Sequence, residues 1–374
     1  MKALVLSGGG ARGAYQVGVL KALAEIAIEL NIKKPFSIYT GISAGAINAA
    51  FLAQGADDFP ARVEKLVKLW SGIRSDEIFR SDVMSLGKIG FQWMGELSLG
   101  GWMGSTHGKS LLDTSPLYHL IERNIDFGRL QGLVDQGELV ALALTALNYQ
   151  TSVTTTFVHG DPKLPDWSRA RRRSHKSFIR AEHVMGSSAI PLLFPAVAIN
   201  GSFYGDGCVR NVAPMSPAIH LHADNLFVIG VRRTTLTADD RRAQHSVHPP
   251  SVARVANVLM NAVLLDGIET DMERLARVNG FMQQIPENMQ GSLTFKKIAN
   301  TWIHPSDDIG LLASSMSSRL PRLIRYLLKG LGPLDDASEI ISYLLFEAEF
   351  CQKLIAMGYR DASRQETEIR RFLS

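Results

Sequence analysis

Only two cysteines, Cys208 and Cys351, occur in 374 residues. They are too few and too far apart for a disulfide framework or a cysteine zinc site, so no metal is expected and a reducing cytoplasm is the expected setting. Long apolar runs are also lacking. No window reaches the roughly eighteen consecutive apolar residues of a spanning helix, so any membrane association is expected to be peripheral. The opening residues, Met1-Lys2-Ala3-Leu4-Val5-Leu6-Ser7, meet glycine after an apolar stretch too short for a secretory leader, and read as a first strand. Charge of one sign is scarce: a net charge of +4 and a pI near 9.0 permit attraction to an anionic lipid surface but give no case for nucleic acid. Internal repeats and low-complexity tracts are missing, which excludes solenoid and fibrous classes.

What is present is 46% hydrophobic against 20% charged residues, enough to bury a full core in one large domain or a domain with a helical annex. Residues 2–7 predict a strand, Gly8-Gly9-Gly10-Ala11-Arg12-Gly13 a turn, and Val17, Leu20, Leu23, Ala24 and Ala27 one face of a helix. Phe36 to Thr40 repeats the strand, Gly41-Ile42-Ser43-Ala44-Gly45 the turn, and the small residues through Ala50 the helix. Two βα units in fifty residues predict an α/β fold with a largely parallel central sheet and helices on both faces.

Further along, residues 79–103 mix large apolar side chains with glycines and fit a mobile apolar cover. A helix is predicted at Ser115–Asn124, and neighbouring strands at Leu139–Ala146 and Ser152–Val158. Arg169, Arg171, Arg172, Arg173, His175 and Lys176 form a basic cluster, read either as a solvated loop or as a cationic rim for lipid headgroups. Residues 201–207 look turn-rich, and Leu226–Val231 reads as a buried strand. Residues 234–251 resemble a flexible connection, separating a catalytic domain at 1–233 from a mainly helical region at 252–374. Within that region, Arg319–Leu331 predicts an amphipathic helix whose leucines dock on the main domain, with an anionic bilayer as the alternative surface.

A serine in Gly-x-Ser-x-Gly can sit on a sharp strand-to-helix turn, because glycine removes the Cβ atoms that would clash there. Ser43 has that context, and in a chain with 32 glycines the context carries more weight than the pattern. Gly8, Gly10 and Gly13 also have dinucleotide-fingerprint spacing, but that site needs a carboxylate at the end of the second strand, and Ile38-Tyr39-Thr40-Gly41 offers none. The other use of the turn is an oxyanion hole built from the Gly8, Gly9 and Gly10 amides. A serine nucleophile needs a base. None of the ten histidines stands in a motif, His220 and His222 included, whereas Asp206 lies between glycines on a tight turn where desolvation raises its basicity.

Taken as an ordered set, these residues resemble the patatin-like phospholipase family. Leu6 to Gly13 is similar to its oxyanion loop, with Arg12 and Gly13 as supporting positions. Gly41-Ile42-Ser43-Ala44-Gly45 is similar to its nucleophile elbow, and Asp206-Gly207 to its dyad aspartate. Ser187-Ser188-Ala189-Ile190-Pro191 with Phe194-Pro195 resembles the family segment that precedes the aspartate. Cys208 departs from the usual Gly or Ala. The match covers residues 1–231 and implies a three-layer fold with a C-terminal helical addition, and a Ser43–Asp206 dyad that hydrolyses lipid acyl esters through an acyl-serine, without cofactor, metal or histidine. Only one βα unit precedes Ser43, which separates this arrangement from the α/β-hydrolase fold.

The expected partners are a phospholipid, lysophospholipid or other acyl ester and an anionic membrane surface. Carboxylesterase, thioesterase and acyltransferase activities are alternatives on the same residues. A dinucleotide-binding protein and a silent membrane-binding module are the alternatives of another class.

Overall fold

The computed structural model describes residues 1–80, 110–234, 249–264, 267–290, 293 and 295–374. Most of the apolar stretch at 79–103 and of the connection at 234–251 therefore lies outside the described residues.

Strand β1 (Lys2–Leu6) leads through helix α1 (Gly13–Glu29) to β2 (Ile38–Gly41), and helix α2 (Ala44–Ala53) follows directly. The sheet continues with β3 (Ala141–Asn148), β4 (Thr154–Gly160), β5 (Ser168–Arg169), β6 (Arg172–Lys176), β7 (Val197–Ile199), β8 (Ser202–Asp206), β9 (Asn225–Ile229) and β10 (Ala299–Ile303). Its order is β10-β9-β1-β2-β3-β4-β6-β5, with β8 on β3 and β7 on β8. The run from β10 to β3 is parallel throughout, as expected where helical crossovers join successive strands.

Side chains alternate across this sheet. Ala3 and Val5 of β1 and Ala141 and Ala143 of β3 join one core cluster, while Leu4, Leu6, Leu142 and Leu144 join the other. Both faces are thus covered, which is why these strands read as nearly continuous apolar runs. The helix predicted at Ser115–Asn124 forms with those bounds, and the two strands predicted after it pair antiparallel as β3 and β4.

Three readings change. Residues 202–206 are strand β8, not only turn, paired with β7 in a hairpin. Asn200 and Gly201 close it with φ of 49° and 77°, the two positive values that a tight Asn-Gly turn supplies at low cost. The basic cluster forms strands β5 and β6 at one end of the sheet instead of a loop, with Arg173, His175 and Lys176 exposed, and charge of this kind discourages pairing with another chain. Beyond residue 251 the sequence reading names only helices, and the structure adds strand β10 to the central sheet.

Within that region, helix Arg322–Leu331 buries Ile324 and Leu328, and leaves Tyr326, Leu327 and Leu331 exposed. Helix α3 (Ser338–Leu344) is followed by α4 (Ala348–Ser363), which crosses α1 at van der Waals contact. A Cβ on Gly18 would overlap the Ile355 carbonyl, and one on Gly358 would overlap that of Tyr15. None of the described helices is long and apolar enough to cross a membrane.

Candidate active site

Ser43 stands between the end of β2 and the first turn of α2, at φ 55° and ψ −128°. A non-glycine residue held there stores on the order of 1–3 kcal/mol of backbone strain and needs surrounding structure to hold it. Two hydroxyls provide that support. The Ser43 amide donates to Ser187 Oγ (3.1 Å), and Ser188 Oγ donates to the Ser43 carbonyl (3.0 Å). Ser187 Oγ donates in turn to the Thr145 carbonyl on β3 (2.7 Å), so the elbow is tied to the neighbouring strand. The glycines of the motif allow close packing: a Cβ on Gly45 would overlap the Leu6 carbonyl, and one on Gly41 would overlap that of Gly45.

Asp206 ends β8 opposite Ala146 of β3, which brings it beside the elbow. Its amide donates to the Ala189 carbonyl (2.8 Å), and its carboxylate accepts the Cys208 amide (2.8 Å). The Ser43 hydroxyl and the Cys208 thiol lie beside the same carboxylate and favour its charged form. Ser43 is 2% exposed and Asp206 1%. Burial drives the Asp206 carboxyl up to about 6, against the opposing pull of the Ser43 hydroxyl and of the Cys208 amide and thiol. Cys208 lies between Asp206 and the glycine loop, its sulfur packed against Gly8 and close to the Gly8 amide. Burial and the adjacent carboxylate push its thiol well above the ordinary value, so it stays protonated. Gly207 presses on the Thr145 carbonyl, where a Cβ would overlap it.

The glycine loop lies directly against this pair. A Cβ on Gly8 would stand 2.9 Å from Ser43 Cβ and would overlap the Cys208 sulfur. Gly10, at φ 57°, backs onto the Tyr343 carbonyl, which a Cβ there would overlap. Gly13 sits against Ala44 Cβ and the Trp70 ring. Arg12 is buried. It forms an ion pair with Glu339, donates from Nε to Ser342 Oγ (2.8 Å) and from a terminal nitrogen to the Val231 carbonyl (3.3 Å), and lies 5.4 Å over the Tyr343 ring. Burial lowers the guanidinium to about 10, which leaves it cationic at neutral pH.

A narrow apolar cavity of about 30 Å³ opens beside Ser43, lined in part by Ile47, Leu117, Leu120, Ile190, Phe194 and Phe346. His220 and His222 lie elsewhere, in a groove that Ser43 does not line, where His220 stacks on Trp167 with ring centroids 5.1 Å apart. The structure thus brings together Gly8, Ser43 and Asp206, with Gly10 and Arg12 close behind. Ser187 and Ser188 stood in the sequence only as a resembling segment, and their grip on Ser43 is a tertiary fact. Glu339 and Ser342 carry no signal in the sequence.

Residues 4–219 match the model of the family described as patatin-like phospholipase. A lysophospholipase nte1 of Aspergillus terreus is 53% identical over 57 residues, 15% of this chain and 3% of that protein. A cUMP-AMP-activated phospholipase of Escherichia coli is 31% identical over 114 residues, 25% of this chain and 35% of that one. The chain therefore spans about a third or less of the length of these curated relatives. Among solved structures, VipD of Legionella pneumophila is 15% identical at a TM-score of 0.38, covering 98% of this chain and 67% of that one. Human GIVD cytosolic phospholipase A2 is 10% identical at a TM-score of 0.43, covering 100% and 60%. Those superpositions are too loose to carry an argument. The family model, in contrast, takes in more than half of the chain and all three glycine-flanked blocks, and the protein belongs to the patatin-like phospholipase family.

Proposed function

We propose that the protein hydrolyses acyl esters of phospholipids or lysophospholipids, with Ser43 as nucleophile and Asp206 as general base. The observation that carries this reading is the juxtaposition of the buried Ser43 hydroxyl with the buried Asp206 carboxylate, whose pKa stands near 6. Such a group is ionised at neutral pH and is about two units more basic than an ordinary aspartate, which suits it to accept the hydroxyl proton.

In the proposed cycle Asp206 takes the Ser43 proton as Oγ attacks the ester carbonyl carbon. The negative charge that develops on the carbonyl oxygen is met by amides of the Gly8–Gly10 loop. The carbonyl re-forms, the bond to the alcohol breaks, and Asp206 returns its proton to the departing oxygen. Water then attacks the acyl-serine while Asp206 takes its proton; collapse expels Oγ, which recovers that proton, and the fatty acid leaves. In the resting structure the Cys208 sulfur packs against Gly8, so Gly9 and Gly10 are the more open donors of the loop.

The apolar lining of the cavity beside Ser43 suits an acyl chain. Its volume holds only a water or two, so entry of the chain must displace lining side chains. The exposed Tyr326, Leu327 and Leu331, alternating with Arg322, Arg325 and Lys329, are proposed as the contact with an anionic membrane surface.

The test is fatty-acid release from mixed phospholipid vesicles by the wild type, Ser43→Ala and Asp206→Asn proteins, each checked for folding. Release by the wild type alone supports the dyad. Equal release by all three, or none from vesicles and from a soluble short-chain ester, overturns it.

A further inference from the structure

We propose that helix α3 is a positioning element of the catalytic site: Glu339 and Ser342 hold Arg12, and through it the Gly8–Gly10 loop, in the shape that receives the oxyanion. The inference rests on the Ser43–Asp206 reading and extends it to a part of the chain beyond residue 219, where the family match ends.

Arg12 is two residues past Gly10 and within the short turn of helix that leads into α1, so its position and the path of the glycine loop are coupled by the backbone. Four groups fix it, and three belong to α3: the Glu339 carboxylate, Ser342 Oγ and the Tyr343 ring. Ser342 Oγ donates its own proton to the Glu339 carbonyl (2.5 Å), which turns its lone pairs to the guanidinium. The same helix touches the loop a second time, where the Tyr343 carbonyl backs the left-handed turn at Gly10 so closely that no side chain fits between them. Side-chain and main-chain contacts therefore converge on one loop from one helix.

The helix is itself anchored. Asn257 Oδ1, buried, accepts the amides of Glu339 (2.8 Å) and Ile340 (3.4 Å). Beyond its other end, Ser75 Oγ donates to the Phe346 carbonyl (3.1 Å). Simple docking would be served as well by apolar contacts, because desolvating a guanidinium and a carboxylate costs several kcal/mol that their attraction must repay. An ion pair between a buried guanidinium and a partly buried carboxylate at the hinge of an oxyanion loop instead fixes a geometry. Displacement of oxyanion donors by a fraction of an ångström weakens stabilisation of the transition state more than binding of the ester.

The experiment uses the full chain and a soluble p-nitrophenyl butyrate substrate. Wild type, Glu339→Gln, Glu339→Ala, Ser342→Ala, Arg12→Ala and the double variant Arg12→Ala/Glu339→Ala are compared for kcat, KM and melting temperature. A fluorophosphonate titration carried to completion counts competent sites in each preparation. The inference predicts that kcat per titrated site falls on the order of tenfold to a hundredfold in Glu339→Ala. KM should change by less than about threefold, the signature of an interaction made chiefly in the transition state. Glu339→Gln, which keeps the hydrogen-bond acceptor, should retain more activity than Glu339→Ala, and Ser342→Ala should shift kcat in the same sense. A double variant Arg12→Ala/Glu339→Ala should lose little beyond Arg12→Ala, since the two residues act as one unit. Unchanged kcat per titrated site in Glu339→Ala and Ser342→Ala, with only the melting temperature lowered, overturns the inference. A wild type that neither takes the label nor turns over the ester overturns the dyad reading beneath it.

Discussion

Ser187 Oγ accepts a hydrogen bond from the backbone N–H of Ser43 and donates one to the Thr145 carbonyl, so one hydroxyl bridges the strained elbow and the adjacent strand. Ser187 is fully buried, and its removal leaves the Ser43 amide and the Thr145 carbonyl without that partner. Ser187→Ala is expected to destabilise the fold by roughly 1–3 kcal/mol, the cost of leaving buried polar groups unpaired. It should also lower kcat, because the amide it released belongs to the residue that carries the nucleophile. Chemical denaturation and ester turnover measured on one preparation check both effects. A variant with wild-type values for both would show that the elbow holds its shape without this bridge.

Asp206 makes two pH-dependent predictions. Its carboxyl stands at about 6 because burial disfavours the charged form. As the base it must be ionised, so kcat/KM should rise as a single deprotonation through about pH 6 and level above it. Cys208→Ala removes a thiol that stabilises the charge, and should move this limb to higher pH.

The same shift sets the sign for stability. The folded pKa lies above the ordinary value of 3.8, so the fold favours the protonated acid. Its contribution is fully present below about pH 4 and is lost as the pH rises through about 6, a change of roughly 3 kcal/mol. Asp206→Asn escapes this loss. Relative to wild type it should therefore gain stability between pH 4 and pH 8 while losing activity, as read from denaturation midpoints at the two pH values. A difference between the proteins that does not change with pH would refute the burial account.

Ile47 follows Ser43 by one helical turn and lines the apolar cavity while only partly buried itself. Replacing it with tryptophan fills space that an acyl chain must use. Ile47→Trp should reduce turnover of a long-chain ester much more than that of an acetate ester, and the ratio of the two kcat/KM values reports the effect. Equal losses for both esters would place the acyl chain elsewhere.

The parts of this site that the sequence disclosed are those where local geometry restricts residue type. A sharp strand-to-helix bend needs glycine on both sides of Ser43, and contact with neighbouring carbonyls needs it at Gly10 and Gly207. The Asn200-Gly201 hairpin was equally open to reading, because two positive φ values select that pair. Strands β5 and β6 were hidden because both of their faces meet solvent and their arginines erase any apolar alternation. Strand β10, Ala-Asn-Thr-Trp-Ile at a sheet edge, was hidden for a similar reason. The ion pair of Arg12 with Glu339 joins residues more than three hundred positions apart, and no periodicity or spacing encodes such a contact.

The most direct test of the account is to treat the protein with a fluorophosphonate and map the adduct by peptide mass spectrometry, for wild type, Asp206→Asn and Ser43→Ala. The account predicts one adduct, on Ser43, formed far more slowly in Asp206→Asn and absent in Ser43→Ala. Labelling that persists at another residue after Ser43→Ala, or that proceeds at the wild-type rate in Asp206→Asn, would contradict it.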